Sequence, residues 1–428
     1  MGHRRLPEGI EPGPQIRYCV WEITLACDLG CKHCGSRAAK ARPEELTTEE
    51  CLDVVAQLAE VGCHEVSLIG GEAYLREDWD VIAKACTDAG MLCNIQTGAR
   101  GLTDERIARA AAAGIRQIGL SIDGLEATHD ALRGARGSWQ AAVGAIERIR
   151  AHGLLPSVNS QINRLSMPEL PAMARLFADH GVSWWQLQLT VPMGRAADRP
   201  HLLLQPADLL ELFPLLVWIQ QTIGTPNGMS LRPGNNLGYF GGFQRHLPMP
   251  GSSSLWTSCS AGKFTLGLEA DGTIKGCPSL PTTSYAGGNL REDRLADVLE
   301  TEHNLTFLRE RTVDDLWGFC RTCEHAERCL AGCTWTSHVF FGRPGNNPYC
   351  VHRAMKHEEQ GVQEVLYRVD PATGAPFDHG RFEARIEPLP DAPASVLGVP
   401  LDRVVNATVD DGPVIDLATT KARLKRVR

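Results

Sequence analysis

The chain has 428 residues, 43% hydrophobic and 22% charged, with a formal net charge of −8. That is room for one large domain and a smaller one in an ordinary globular composition, and the acidic balance argues against nucleic-acid binding, which usually needs a basic face. No apolar run approaches the roughly 18 residues of a membrane span, and Met1-Gly2-His3-Arg4-Arg5-Leu6-Pro7 lacks the apolar core of a secretory signal.

In chain order, Tyr18 to Leu25 mixes β-branched, aromatic and apolar residues and predicts a strand. Cys27-Asp28-Leu29-Gly30-Cys31-Lys32-His33-Cys34 follows it, a C-x3-C-x2-C loop. Thr47 with Glu50 is a capping box, and Cys51, Val54, Val55, Leu58 and Val61 recur at helical spacing up to Gly62. Glu65 to Ile69 reads as a strand closed by Gly70-Gly71-Glu72. Helix and strand then alternate: helix 77–89, strand 91–96, helix 104–114, strand 117–122, a helix capped by Ser138, strand 155–160, a helix through Leu170 and Phe177, strand 184–189, and helix 206–219. Six strands alternating with six helices predict an α/β fold with a parallel sheet, a partial (β/α)6 TIM barrel rather than a closed one of eight. Gly- and Pro-rich residues 226–257, with Asn235-Asn236 and Tyr239-Phe240, read as a connecting loop or a substrate-contacting segment.

Fifteen cysteines without an export signal predict a reducing, cytoplasmic setting. Ten of them fall in two sets, one of three and one of seven, which suits metal ligation better than a disulfide framework. The second set begins around a predicted hairpin. Phe264, Leu266 and Leu268 alternate, Asp271-Gly272 turns, and Thr273-Ile274-Lys275 returns, with Cys259 before it and Cys277 at its end. Cys320, Cys323, Cys329, Cys333 and Cys350 complete it. Cys19, Cys51, Cys63, Cys86 and Cys93 read as ordinary buried thiols. Three thiolates at Cys27, Cys31 and Cys34 can hold three corners of an iron–sulfur cluster and leave one iron open; a zinc site or scattered core thiols is the competing reading. Gly70-Gly71 would let backbone approach a ligand, and Glu72 could accept hydrogen bonds from an ammonium group.

These residues carry a resemblance. The first 220 or so residues resemble the radical S-adenosylmethionine (SAM) superfamily, whose cysteine motif usually has an aromatic residue where His33 stands. The resemblance implies that Gly70, Gly71 and Glu72 receive the methionine amine of SAM, that Ser121 and Arg133 hold its carboxylate, and that Asn159 contacts the ribose. Cys259, Gly272, Cys277, Cys320, Cys323, Cys329, Cys333 and Cys350 fill every place of the SPASM extension of that superfamily. By that similarity Cys320, Cys323, Cys329 and Cys350 would hold one auxiliary 4Fe–4S cluster and Cys259, Cys277 and Cys333 another, for three clusters in all. Seven cysteines cannot fill eight ligand positions. Thr265 stands near the place where some members supply the eighth, so the cluster nearer the barrel is expected to have an open or non-Cys site.

The organisation expected is then a radical SAM partial barrel at 1–225, a connecting loop at 226–257, a SPASM domain at 258–355 with a β-hairpin and two clusters, and an extension of unknown role at 356–428. The resemblance implies reductive cleavage of SAM to a 5′-deoxyadenosyl radical and abstraction of hydrogen from a substrate C–H bond. A ribosomally made peptide is the leading substrate class, cross-linked or oxidised at its side chains. Flavodoxin or ferredoxin would supply electrons. Some 16 residues precede the first strand, too few for a fused leader-binding domain. Leader recognition would fall to a separate protein, the C-terminal tail or the Gly-rich loop. Oxidation of a haem-type or other small metabolite competes. Sulfatase maturation is less favoured, because Pro278 stands where those enzymes carry Asp. A non-enzymatic metal-binding redox protein would explain the cysteines but not Gly70-Gly71-Glu72, Ser121 or Arg133. No general base is legible, although acidic residues near the barrel mouth are candidates.

Overall fold

The computed structural model describes residues 16–238, 243, 246–247 and 258–390. Six parallel strands follow one another across the sheet: β1 (Tyr18–Glu22), β2 (Glu65–Ile69), β3 (Leu92–Thr97), β4 (Gln117–Ser121), β5 (Leu155–Ile162) and β6 (Trp184–Leu189). They bury Trp21, Val66, Leu68, Ile95, Ile118, Leu120, Val158, Trp185 and Leu187. Helices α1 (Thr48–Glu60), α2 (Trp79–Asp88), α3 (Asp104–Ala112), α4 (Glu126–Arg133), α5 (Ser138–Ala151), α6 (Leu170–Asp179) and α7 (Leu209–Ile219) connect them. The partial barrel expected from the alternation is the observed fold, and the Thr47–Glu50 capping box is present on α1.

Three departures matter for the site. First, the segment 226–257 is more than a connector: β7 (Ser230–Pro233) pairs parallel with β6 and adds a strand at one edge. Asn236 is buried there and brackets Leu189, accepting from its N–H at 3.1 Å and donating to its carbonyl at 2.7 Å. Asn236 is therefore structural, whereas Tyr239-Phe240 lies outside the described residues. Second, the hairpin of the cysteine-rich region does not stand apart. Its strands β8 (Thr265–Leu268) and β9 (Ile274–Lys275) extend the barrel sheet at the other edge, β8 lying parallel to β1 with Tyr18 opposite Thr265. Third, the region expected as an extension of unknown role carries an antiparallel hairpin, β10 (Val362–Asp370) and β11 (Arg381–Pro388), whose Leu366 and Phe382 join the main core. Residues 391–428 lie outside the described residues.

Two local readings are also corrected. Helix α4 has only two turns and escaped the periodicity. Ser138 is the first residue of α5 rather than its cap; the capping acceptor is Asp130 on α4, which receives the N–H groups of Gly137 at 2.6 Å and Trp139 at 2.8 Å. The expectation about apolar runs needs a correction too. The helical run Pro200–Asn227 spans 28 residues with a mean hydropathy of 1.6 in its most apolar window. Its Leu209, Leu212, Phe213, Leu215, Leu216 and Ile219 are buried in the core of this fold.

Helix α4 ends where the first cysteine loop begins. The carbonyls of Leu132 and Arg133 accept the N–H groups of Lys32 at 2.7 Å and Gly30 at 3.1 Å. Gly134 ends the helix at φ +67°, and a Cβ there would sit 2.6 Å from the Gly30 carbonyl. Gly137 has a similar φ of +79° but open space around it. Gly134→Ala is expected to cost about 2–4 kcal/mol, from left-handed strain plus the clash, and to lower iron incorporation. Gly137→Ala is expected to cost about 1 kcal/mol and keep its iron. Thermal unfolding and iron analysis of the reconstituted variants check both.

Candidate active site

The C-terminal ends of the parallel strands surround a cavity of about 420 Å³, the position where barrels of this kind place chemistry. Cys27, Cys31 and Cys34 line it from the loop after β1, Gly70 and Gly71 from the end of β2, Ser121 from β4, and Asn159 from β5. Arg133 joins them from the last turn of α4 and Cys277 from beyond β9. The structure thus collects into one cavity residues that the chain spreads over 250 positions, Cys27 to Cys277.

The glycines after β2 also pack against the cysteine loop. A Cβ on Gly71 would come within 2.7 Å of Cys27 Cβ, and one on Gly70 would overlap the Thr24 carbonyl. Their N–H groups and those nearby tie the two loops together: Gly71 donates to Thr24 at 2.8 Å and Glu72 to Ala26 at 2.8 Å. Close approach to the cysteine loop, besides any ligand, demands glycine here. Glu72 lies behind the wall at 1% exposure, its Oε2 accepting the Gly98 N–H at 2.8 Å. Its Oε1 has no hydrogen-bond partner among the described residues. Burial pushes its carboxyl up to about 8, so without a cation nearby it is a neutral acid at pH 7.

Arg133 is paired within the site. Its Nη2 lies 2.6 Å from Asp123 Oδ2 and its Nη1 3.7 Å from Cys31 Sγ. Its Nε has no hydrogen-bond partner among the described residues. Asp123 is fully buried. Burial works to raise its carboxyl, but Arg133 and then His33 outweigh that and hold it well below the usual range. His33 Nε2 reaches the same Asp123 oxygen at 3.0 Å. The imidazole in the position usually aromatic is therefore one arm of an Arg133–Asp123–His33 cluster. His129 Nδ1 accepts the Asp123 N–H at 3.2 Å, and burial, then Arg133, holds this imidazole down to about 4, in its neutral acceptor form. Asn159 donates its Nδ2 to Gln96 Oε1, and both residues line the cavity. In the sequence Asp123 stands two residues after Ser121 and ten before Arg133, and only the fold brings it onto Arg133 and His33.

The thiols fit a polynuclear cluster. Burial raises the Cys27 thiol to about 12. Burial also raises Cys31, against the pull of Arg133. Bound metal is what makes such thiols thiolates. Within the second set the thiols have different neighbours. Cys333 and Cys277 each feel Cys259 most after burial, while Cys329 feels Cys350, Cys320 and Cys323. Thr265 lines the cavity too, its hydroxyl 2.9 Å from that of Ser260. No residue of 226–238 lines the cavity.

Residues 21–184 match the radical SAM superfamily, and residues 259–324 match SPASM, an iron-sulfur cluster-binding domain. The chain thus carries a radical SAM domain and a SPASM domain and is a radical SAM enzyme, which implies SAM, a 4Fe–4S cluster and further iron–sulfur sites. It is 27% identical over 352 residues to the AdoMet-dependent heme synthase of Methanosarcina barkeri, covering 79% of this chain and 97% of that one. It is 28% identical to the mycofactocin maturase MftC of Mycolicibacterium smegmatis, covering 81% and 86%. In fold it resembles Streptococcus suis SuiB bound to its precursor peptide SuiA, with a TM-score of 0.61 at 16% identity over 79% of this chain and 74% of that one. It also resembles anSMEcpe with bound AdoMet, with a TM-score of 0.62 at 15% identity over 79% and 95%.

Removing the charge of Asp123 leaves Arg133 buried without its main partner, a change that typically costs about 3–5 kcal/mol. Asp123→Asn is expected to lower the unfolding midpoint and weaken SAM binding at least about tenfold, measured by anaerobic titration. Glu72 gives a pH signature. Its folded value lies above its unfolded one, so its contribution is full below the unfolded value and is lost as pH rises toward 8. Glu22, also pushed up to about 8 by burial, adds to the same trend. In SAM-free protein, Glu72→Gln is expected to gain stability relative to wild type between pH 5 and 8.5, by on the order of a few kcal/mol, read from urea midpoints at each pH.

Proposed function

We propose that this enzyme matures a ribosomally made peptide by oxidising or cross-linking its side chains. The observation that carries this reading is that Cys27, Cys31, Cys34 and Cys277 open onto one cavity. Hydrogen removal and the following loss of an electron can therefore take place on a substrate that stays in place. When bound, SAM and the cluster at Cys27, Cys31 and Cys34 supply a 5′-deoxyadenosyl radical that takes hydrogen from a substrate C–H bond. The chain itself orients and shields: Gly70, Gly71, Glu72, Ser121, Arg133 and Asn159 would hold SAM. Arg133 keeps Nε for the carboxylate while Asp123 and His33 fix its plane. The unpartnered Glu72 Oε1 would accept from the ammonium group and be ionised by it.

In this reading there are three 4Fe–4S clusters. The auxiliary pair is held by Cys259, Cys277 and Cys333, with Thr265 beside the open place, and by Cys320, Cys323, Cys329 and Cys350. The working units are 1–225, 226–257, 258–355 and 356–428, although β8 and β10–β11 tie them together. An electron donor of the flavodoxin or ferredoxin type and a separate leader-binding protein complete the system. All fifteen cysteines are free, which suits the reducing cytoplasm. The similarity to a heme synthase favours a second reading, oxidation of a tetrapyrrole.

Anaerobically reconstituted protein with reductant and SAM is expected to form 5′-deoxyadenosine that rises with one of the short peptides encoded beside its gene, and that peptide is expected to lose two hydrogens by mass. A response to an iron porphyrin precursor and to no peptide would establish the second reading instead.

A further inference from the structure

The turn between β10 and β11 reaches the cavity from a distant part of the chain. Phe377 lies on it and lines the cavity together with Gly35, Met193, Cys277 and Trp335. Its N–H donates to the Gly35 carbonyl at 3.1 Å, directly after Cys34. The next residue, Asp378, is fastened twice: its carbonyl accepts the Gly194 N–H at 2.7 Å, and its Oδ1 takes Arg37 Nε at 2.9 Å. Arg37 also pairs with Asp198 at 2.8 Å. Met193 and His379 form an antiparallel bridge. The turn is thus docked on both the cysteine loop and the segment after β6.

Phe377 has a φ of +55°. A bulky residue there is strained, and such strain persists only where the surroundings over-determine it; it clusters at functional sites. The ring also lies 4.0 Å from Lys275 Nζ. That ammonium is fully buried and already committed, to Glu269 at 2.7 Å and to the carbonyls of Pro278 and Leu280. It offers a cation–π contact that orients the ring and leaves no free charge for a substrate.

We propose that Phe377 is a specificity-determining residue: it closes the substrate side of the cavity between Cys34 and Cys277 and selects an apolar side chain for hydrogen abstraction. The wall it forms with Met193 and Trp335 would desolvate an apolar group at no cost and a charged one at high cost. The ring would also keep water and reductant from the radical. This rests on the proposed peptide reading for its choice of ligand, but the closing role does not.

The test uses the reconstituted holoenzyme with SAM, dithionite and the capped tripeptides Ac-Gly-X-Gly-NH2, where X is perdeuterated Leu, Phe, Ser or Asp. Deuterium appearing in 5′-deoxyadenosine reports which side chain meets the radical. Wild type is expected to take deuterium from Leu and Phe over Ser and Asp by about tenfold or more, and Phe377→Ala to bring that ratio within about twofold. Without peptide, Phe377→Ala is expected to form 5′-deoxyadenosine about threefold faster as the cavity opens. Phe377→Leu should restore much of both. Hydrogen exchange at residues 371–380 is expected to remain slow in Phe377→Ala, because Arg37 and Gly194 still hold the turn, which separates loss of the ring from loss of the hairpin. An unchanged selectivity and an unchanged peptide-free rate would overturn the proposal. If wild type cleaves SAM but takes deuterium from no peptide, the peptide reading and the apolar selection fail together, and the peptide-free rate alone decides whether Phe377 closes the cavity.

Discussion

The loop carrying Cys27, Cys31 and Cys34 is held by main chain approaching main chain, and everything at the cavity depends on that. Gly70 and Gly71 press on Thr24 to Cys27, Gly134 on Gly30, and Gly194 on Cys34 and Gly35. Each contact excludes a Cβ. Backbone clamps of this kind leave little rotamer freedom, so the three sulfurs are positioned by the sheet and by α4 rather than by their own side chains. Arg195 adds a polar hold on the same loop, donating to the carbonyls of Cys31 at 3.1 Å and Ala38 at 2.6 Å.

Arg133 shows how the clamp becomes electrostatics. Because α4 ends against the cysteine loop, its last side chain reaches both Cys31 and Asp123. An arginine this deeply buried needs a counter-charge, and a carboxylate this deeply buried needs more than one donor. Gln161 donates its N–H to Asp123 Oδ1 at 2.9 Å, and Arg133 and His33 both face Oδ2, His33 Nε2 at 3.0 Å. The departure from the usual aromatic residue at that position is then a local solution: an imidazole can both fill the space and donate to Asp123, whereas a phenyl ring could only fill it.

The sheet joins what looked like separate units. Through β8 the cysteine-rich region is hydrogen-bonded to β1, the strand that leads into the first cysteine loop. Cys277 follows β9 and so arrives at the barrel mouth by register rather than by docking of a loose domain. A second network, Arg42 with Glu22, Glu269 and Asp271, braces the same junction. The turn of the β10–β11 hairpin is hydrogen-bonded to the cysteine loop at Gly35 and to the segment after β6 at Gly194.

What the amino-acid order determined by itself was local or countable. The alternation of strand and helix, the capping box at Thr47 and Glu50, and the spacing of ten cysteines into two sets all lie within short windows, where periodicity and propensity act directly. The division of the second set into two ligand groups followed from resemblance, not from spacing. Tertiary structure alone decided that β8 lies against β1, that Glu72 sits behind the wall, that Arg133 is shared with Asp123 and His33, and that Phe377 faces the cavity. These are contacts between residues far apart in the chain. They are chosen by burial, backbone pairing and charge compensation in the folded state, and no spacing within the sequence encodes which distant partner wins.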